Sequence, residues 1–147
     1  MQKIMKTTAL LFAGALLFTG CASSNGSDTA SGDDNCEVVR VAVRDISNGA
    51  QNAIATSVDQ PTLTEKLEGY SQRLDEVADE NADDEDLVTA IDGLQEKITA
   101  AEEYAATLPT AAPGEGEEST IDPDAQATAS GDIQAAAVTV TEVCEAE

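Results

Sequence analysis

The sequence predicts an all-α protein folded as an antiparallel four-helix bundle. Four successive segments carry apolar residues at spacings of three and four. Proline, glycine and acidic residues punctuate the segments, and Cys36 and Cys144 stand near the two ends of the helical region. Such a period belongs to one face of a helix.

In the first segment the stripe runs through Cys36, Val39, Val43, Ile46, Ala50, Ala53 and Ser57. Gly49 and the β-branched valines weaken helix propensity there, so strand remains an alternative for residues 38–43. The same alternative stands for residues 138–143, rich in Val and Thr. The second stripe, Leu63, Leu67, Tyr70, Leu74 and Val77, follows Pro61, and Thr62 with Glu65 offers a capping box. The third places Leu87, Ile91, Leu94, Ile98, Ala101, Ala105 and Leu108 on one face, with Pro109 as its stop. Acidic residues at 83–86 suit the positive N-terminal end of that helix. Segments two and three should form an antiparallel hairpin. Residues 109–124 read as a long acidic Pro/Gly loop, at whose end Asp122 and Pro123 cap and start a last helix. That helix presents Ile133, Ala137, Val140 and Cys144 on one side.

The start of the chain has a different character. Lys3 and Lys6 precede an uninterrupted apolar and glycine run over residues 9–18, with no carboxylate nearby. A spanning helix needs about 20 apolar residues, so the run is expected to be a removable export signal over residues 1–20. It closes on Leu17, Phe18, Thr19, Gly20 and Cys21, which resembles the lipobox of bacterial lipoproteins, with Phe18 where that family more often has leucine. The resemblance implies that Cys21 becomes the N-terminus and carries a diacylglyceryl thioether. The partner it implies is a membrane, held through the lipid on the extracytoplasmic side; in a single-membrane cell this is the outer face of the plasma membrane. Residues 21–35 then form a flexible polar tether with a reach of roughly 20 Å, and residues 36–147 the bundle domain.

With Cys21 lipidated, Cys36 and Cys144 remain as an even pair in an oxidising compartment, where pairing is the rule. A bridge brings the ends of an up-and-down bundle together only for an even number of helices; three would leave them a helix length of roughly 30 Å apart. The core such a bundle can build is lean. Residues 36–147 hold six Leu, six Ile, ten Val and two Tyr, with alanine supplying much of the rest, so a covalent clasp would matter.

The whole layout of lipobox, polar tether, helix-opening cysteine, alanine-rich helices, Pro-rich loop and terminal cysteine resembles the small helical lipoproteins and secreted proteins common in actinobacteria. Most of these have no assigned activity, so the resemblance implies location and fold and carries over no catalytic residue.

Composition excludes several functions. Loss of residues 1–20 removes Lys3 and Lys6 and no carboxylate, leaving five of the seven basic residues against 29 acidic ones, a formal charge of −24 in place of −22. Nucleic acid requires clustered Lys and Arg and is not an expected partner. The absence of histidine removes Ser-His-Asp and Cys-His arrangements and histidine-based zinc sites. Beyond the signal there is no Trp, Phe or Met to wall a ligand pocket. Tyr70 and Tyr104 read as core or boundary residues. Gly114 and Gly116 sit among glutamates and form no phosphate loop. The acidic turn offers weak metal candidates in Asp79, Asp83, Asp84 and Asp86. Asp79, Asn81 and Asp83 copy the start of an EF-hand loop, but Asp84 occupies the glycine position and Ala90 the bidentate glutamate position. A solvated capping turn is the expectation, with no metal and no cofactor.

The function expected is a lipid-anchored, non-enzymatic interaction or structural module of the cell envelope, with an envelope protein as a further partner. The alternative is an extracytoplasmic binding protein for cations or cationic ligands. An enzyme is the least expected class.

Overall fold

The computed structural model describes residues 32–116 and 121–146. Four helices follow one another: α1 (Gly32–Thr56), α2 (Gln60–Glu80), α3 (Glu85–Ala105) and α4 (Pro123–Glu145). No strand occurs among the described residues. Each helix packs on its neighbours in sequence, α1 closes the ring against α4, and α2 and α4 lie diagonally apart. This is the up-and-down four-helix bundle expected. The signal, Cys21, residues 21–31 of the tether and residues 117–120 of the loop lie outside the described residues.

Both Val-rich stretches, 38–43 and 138–143, are helical. Burial explains the outcome: Val39, Val43 and Val140 are each shielded from solvent at helical spacing. Fully burying such a side chain contributes about 1.5 to 3 kcal/mol, more than the few tenths by which valine disfavours helix. α1 begins at Gly32, so the last residues assigned to the tether are helical.

Helix α2 starts earlier than the expected capping box. Its N-cap is Asp59, not Thr62; the Asp59 carboxylate accepts the backbone N–H of Thr62 at 3.0 Å. Pro61 explains the shift, because its fixed φ and missing N–H suit the first turn of a helix rather than the residue before one. Asp84 caps α3 and accepts from the Leu87 N–H at 2.9 Å. Asp122 caps α4 as expected, accepting from the N–H groups of Asp124 and Ala125 at 3.0 and 3.1 Å, with Pro123 in the first turn. α3 ends at Ala105 rather than at Pro109. Two tight turns follow, Thr107 to Tyr104 at 2.9 Å and Leu108 to Ala105 at 3.0 Å, and they still bury Leu108.

The core draws unequally on the helices. α3 and its C-terminal turn bury Leu87, Ile91, Leu94, Ile98 and Leu108, whereas α4 buries only Ile133, Val140 and Cys144 behind half-buried alanines. At Gly49 in α1 a Cβ would lie 2.5 to 2.6 Å from the Tyr70 ring and hydroxyl, so this glycine is what lets Tyr70 lean on α1.

Candidate functional site

Chain direction in the bundle brings one end of every helix together twice. At the first end lie the start of α1, the α2–α3 turn and the finish of α4. Cys36 and Cys144 meet there in a disulfide with Cα atoms 5.4 Å apart, inside the range a relaxed bridge occupies. Cys144 is buried and Cys36 half-buried, which shields the bridge. Arg40 of α1 reaches Glu145 of α4 beside it at 3.7 Å. Both partners are exposed, so the pair stabilises by at most about 1 kcal/mol.

Asn81, in the adjoining turn, is the buried polar centre of this end. Its amide donates to the Val77 carbonyl at 2.6 Å and its side-chain oxygen accepts from the Asn35 amide of α1 at 2.8 Å. Its backbone N–H donates to Ala78 and its carbonyl accepts from Asp84. One residue thereby ends α2, shapes the turn into α3 and ties both to α1. Reading the sequence for metal ligands gave Asn81 only its EF-hand position; the polar residue between two capped helices was the available signal for this structural role.

The carboxylates around it do not converge. Asp84 serves as a helix cap, while Asp79, Asp83 and Asp86 are exposed. No group of three or more His, Cys, Asp or Glu side chains is arranged to hold a metal ion among the described residues.

At the opposite end, the Gln60 N–H donates to the Pro109 carbonyl at 2.8 Å and the Gln126 amide donates to the Ile54 carbonyl at 2.9 Å. The Thr62 backbone N–H, then its side chain, hold the Asp59 carboxyl below its usual 3.8. Burial pushes the Tyr104 hydroxyl above its usual 10.0. Among the described residues that hydroxyl meets no hydrogen-bond partner at proper geometry, and the nearby Gln126 side chain offsets only part of the burial penalty. Tyr70 is half-buried, with the Arg73 guanidinium 6.0 Å from its ring centroid.

A third feature, not anticipated from the sequence, is a groove along the α3–α4 seam. Its larger stretch has a volume of about 730 Å³ and is lined by small residues, Ala90, Gly93, Ala135 and Ala136 among them. Alanine and glycine recurring on facing sides of α3 and α4 were the signal, and it was read as a lean core.

The chain matches no known protein family, no curated protein and no solved structure. No helix among the described residues is long and apolar enough to cross a membrane.

Proposed function

We propose that this protein is a lipid-anchored, non-enzymatic interaction module of the bacterial cell envelope. The observation that carries the reading is the sequence from Leu17 to Cys21 behind a short apolar run, which is the context in which bacterial cysteines are lipidated. The bundle supports it: α1 starts at Gly32, so a tether over residues 21–31 would join the domain at the disulfide end and turn the other end away from the lipid. The acidic turn at residues 79–86 lies at that same end, and carboxylates do not adhere to anionic headgroups, which leaves attachment to the acyl chains. Intact-mass measurement of the membrane-extracted protein tests the anchor. The expected product begins at Cys21 with diacylglyceryl mass; a chain beginning there without acyl mass refutes the reading. Cys21→Ala should release the protein or block its processing.

A second reading, binding of cations or cationic ligands, is favoured by the formal charge of −24 that five basic and 29 acidic residues leave after residues 1–20 are removed. Calorimetric titration with calcium, magnesium and polyamines at physiological salt separates the two. Saturable heat would favour this reading, and its absence would remove it for those ligands.

A further inference from the structure

The α3–α4 seam is shaped by more than the fold requires. Where α3 meets α4, the side chains are too small to close the gap, and a groove of about 730 Å³ opens. Past Lys97 and Asp132, which line both stretches, it continues as a smaller space of about 380 Å³. Gly93 lies on the groove in the middle of α3, where glycine costs about 0.5 to 1 kcal/mol relative to alanine. Gly49 has a packing reason, since its missing Cβ makes room for Tyr70. Gly93 has none among the described residues: a Cβ there would meet nothing within 4 Å. Gly69 and Gly131 are equally open but lie on the exposed surface outside the groove. A small-residue floor of this kind admits the close approach of another backbone.

The rim limits what that other backbone is. Asp86 and Glu96 of α3 and Asp132 of α4 border the larger stretch, and Lys97 is its only cation among the described residues. Lys97 forms no ion pair among the described residues. A second copy of a chain with formal charge −22 would bring like charge to this rim. From Asp86 to Thr107 the α3 side of the seam is roughly 30 Å long, the length of a helix of about 20 residues.

We propose that the α3–α4 groove docks a basic amphipathic helix of a partner polypeptide. Its apolar ridge would lie on the alanine and glycine floor and its Lys and Arg side chains would meet the carboxylates of the rim, the helix-in-groove mode of recognition. The proposal rests on the reading of the protein as an interaction module and names the chemistry of its partner.

The test uses a fluorescein-labelled peptide of about 20 residues, leucine and lysine at helical spacing. It is titrated by fluorescence anisotropy against the full lipidated protein in phosphatidylcholine nanodiscs, with empty nanodiscs subtracted. Saturable binding is expected. Glu96→Lys with Asp132→Lys should weaken it by about tenfold, because rim charge is reversed at the contact. Gly93→Leu, whose Cβ meets nothing within 4 Å among the described residues and which adds a side chain to the groove Gly93 lines, should weaken it comparably. Glu65→Lys with Glu76→Lys changes the net charge equally on the exposed side of α2 and should leave affinity within about twofold. The proposal is overturned if no saturable binding occurs, if both charge-reversed pairs weaken it equally, or if Gly93→Leu has no effect. It is also overturned if the unliganded protein sediments as a dimer that Gly93→Leu dissociates, since a second copy then fills the groove. Should the extracted chain carry no acyl mass, the soluble chain is titrated in the same way, so the anchor can fail without the groove.

Discussion

The two ends of the bundle are closed by different physics. At the disulfide end, three connected segments share a covalent bridge and one buried amide, Asn81, whose partners lie on α1 and α2. At the loop end, two helix caps and three isolated hydrogen bonds, Gln60 to Pro109, Gln126 to Ile54 and Lys66 to Ser57, hold the same number of helix ends. Crosslinking acts by restricting the unfolded chain, whereas caps and hydrogen bonds act only in the folded one and compete with water. The difference teaches that a lean core can leave one end dependent on local bonds when the other is clasped. Amide exchange under native conditions should therefore show lower protection at the loop end, and uniform protection along all four helices would break the comparison.

The largest effect is expected from Cys36→Ser with Cys144→Ser. The bridge closes a loop with a sequence separation of 108, and the chain-entropy relation gives on the order of 4 to 5 kcal/mol for such a length. Urea unfolding should show the midpoint falling accordingly, and reductant acting on the native protein should reproduce it. A change of under about 1 kcal/mol would mean that both ends rely on local bonds.

Asn81→Ala should be next, at about 2 kcal/mol, because it removes a buried polar group with two side-chain hydrogen bonds and leaves the Val77 carbonyl and the Asn35 amide without them. A double-mutant cycle with Asn35→Ala should return a coupling of about 0.5 to 1.5 kcal/mol, and strict additivity would show that the two amides act independently.

At the loop end, Asp122→Ala should cost about 1 kcal/mol, the usual value of an N-cap, and leave the disulfide end's exchange protection unchanged. Asp59→Ala should act in the same direction with a distinctive pH dependence. The folded carboxyl sits below its usual 3.8, so its contribution is present above that value and is lost as pH falls through the folded value. The gap in thermal midpoint between wild type and Asp59→Ala should accordingly close in acid and remain constant from pH 5 to 7.

The smallest change should come from Tyr104→Phe. Removing a hydroxyl that is buried without a well-placed partner should leave stability at neutral pH within about 0.5 kcal/mol or raise it slightly. The raised Tyr104 hydroxyl keeps its contribution below the usual 10.0 and loses it as pH rises through the folded value. The phenylalanine variant should lack that alkaline loss, and an unchanged alkaline profile would remove Tyr104 as its source.

Much of this was legible because the information is local. Helical period, Pro61, Pro123 and Asp122 are statements about residues a few positions apart, and the stripes of α2 and α3 are buried as the pattern required, save Tyr70, which is half-buried. The α2 cap was misread by three residues because Thr62 and Glu65 spell a capping box, whereas Pro61 belongs in the first turn and so places the cap at Asp59. The valine stretches were ambiguous because propensity and burial oppose each other there, and burial depends on neighbours far along the chain. The acidic turn offered weak metal candidates beside the expected capping turn because composition records how many carboxylates are present and not where they point.

By itself the sequence determined the helical class and the negative charge of the surface, from period and composition, and, on the expectation that lipid takes up Cys21, it predicted the pairing of Cys36 with Cys144 and the even count of helices. Only the tertiary structure decided that Asn81 joins three segments, that Gly49 accommodates Tyr70 while Gly93 accommodates nothing among the described residues, and that small residues on α3 and α4 leave a groove. Those facts concern what lies opposite a side chain, and the opposing groups are brought there by packing across helices whose residues are tens of positions apart.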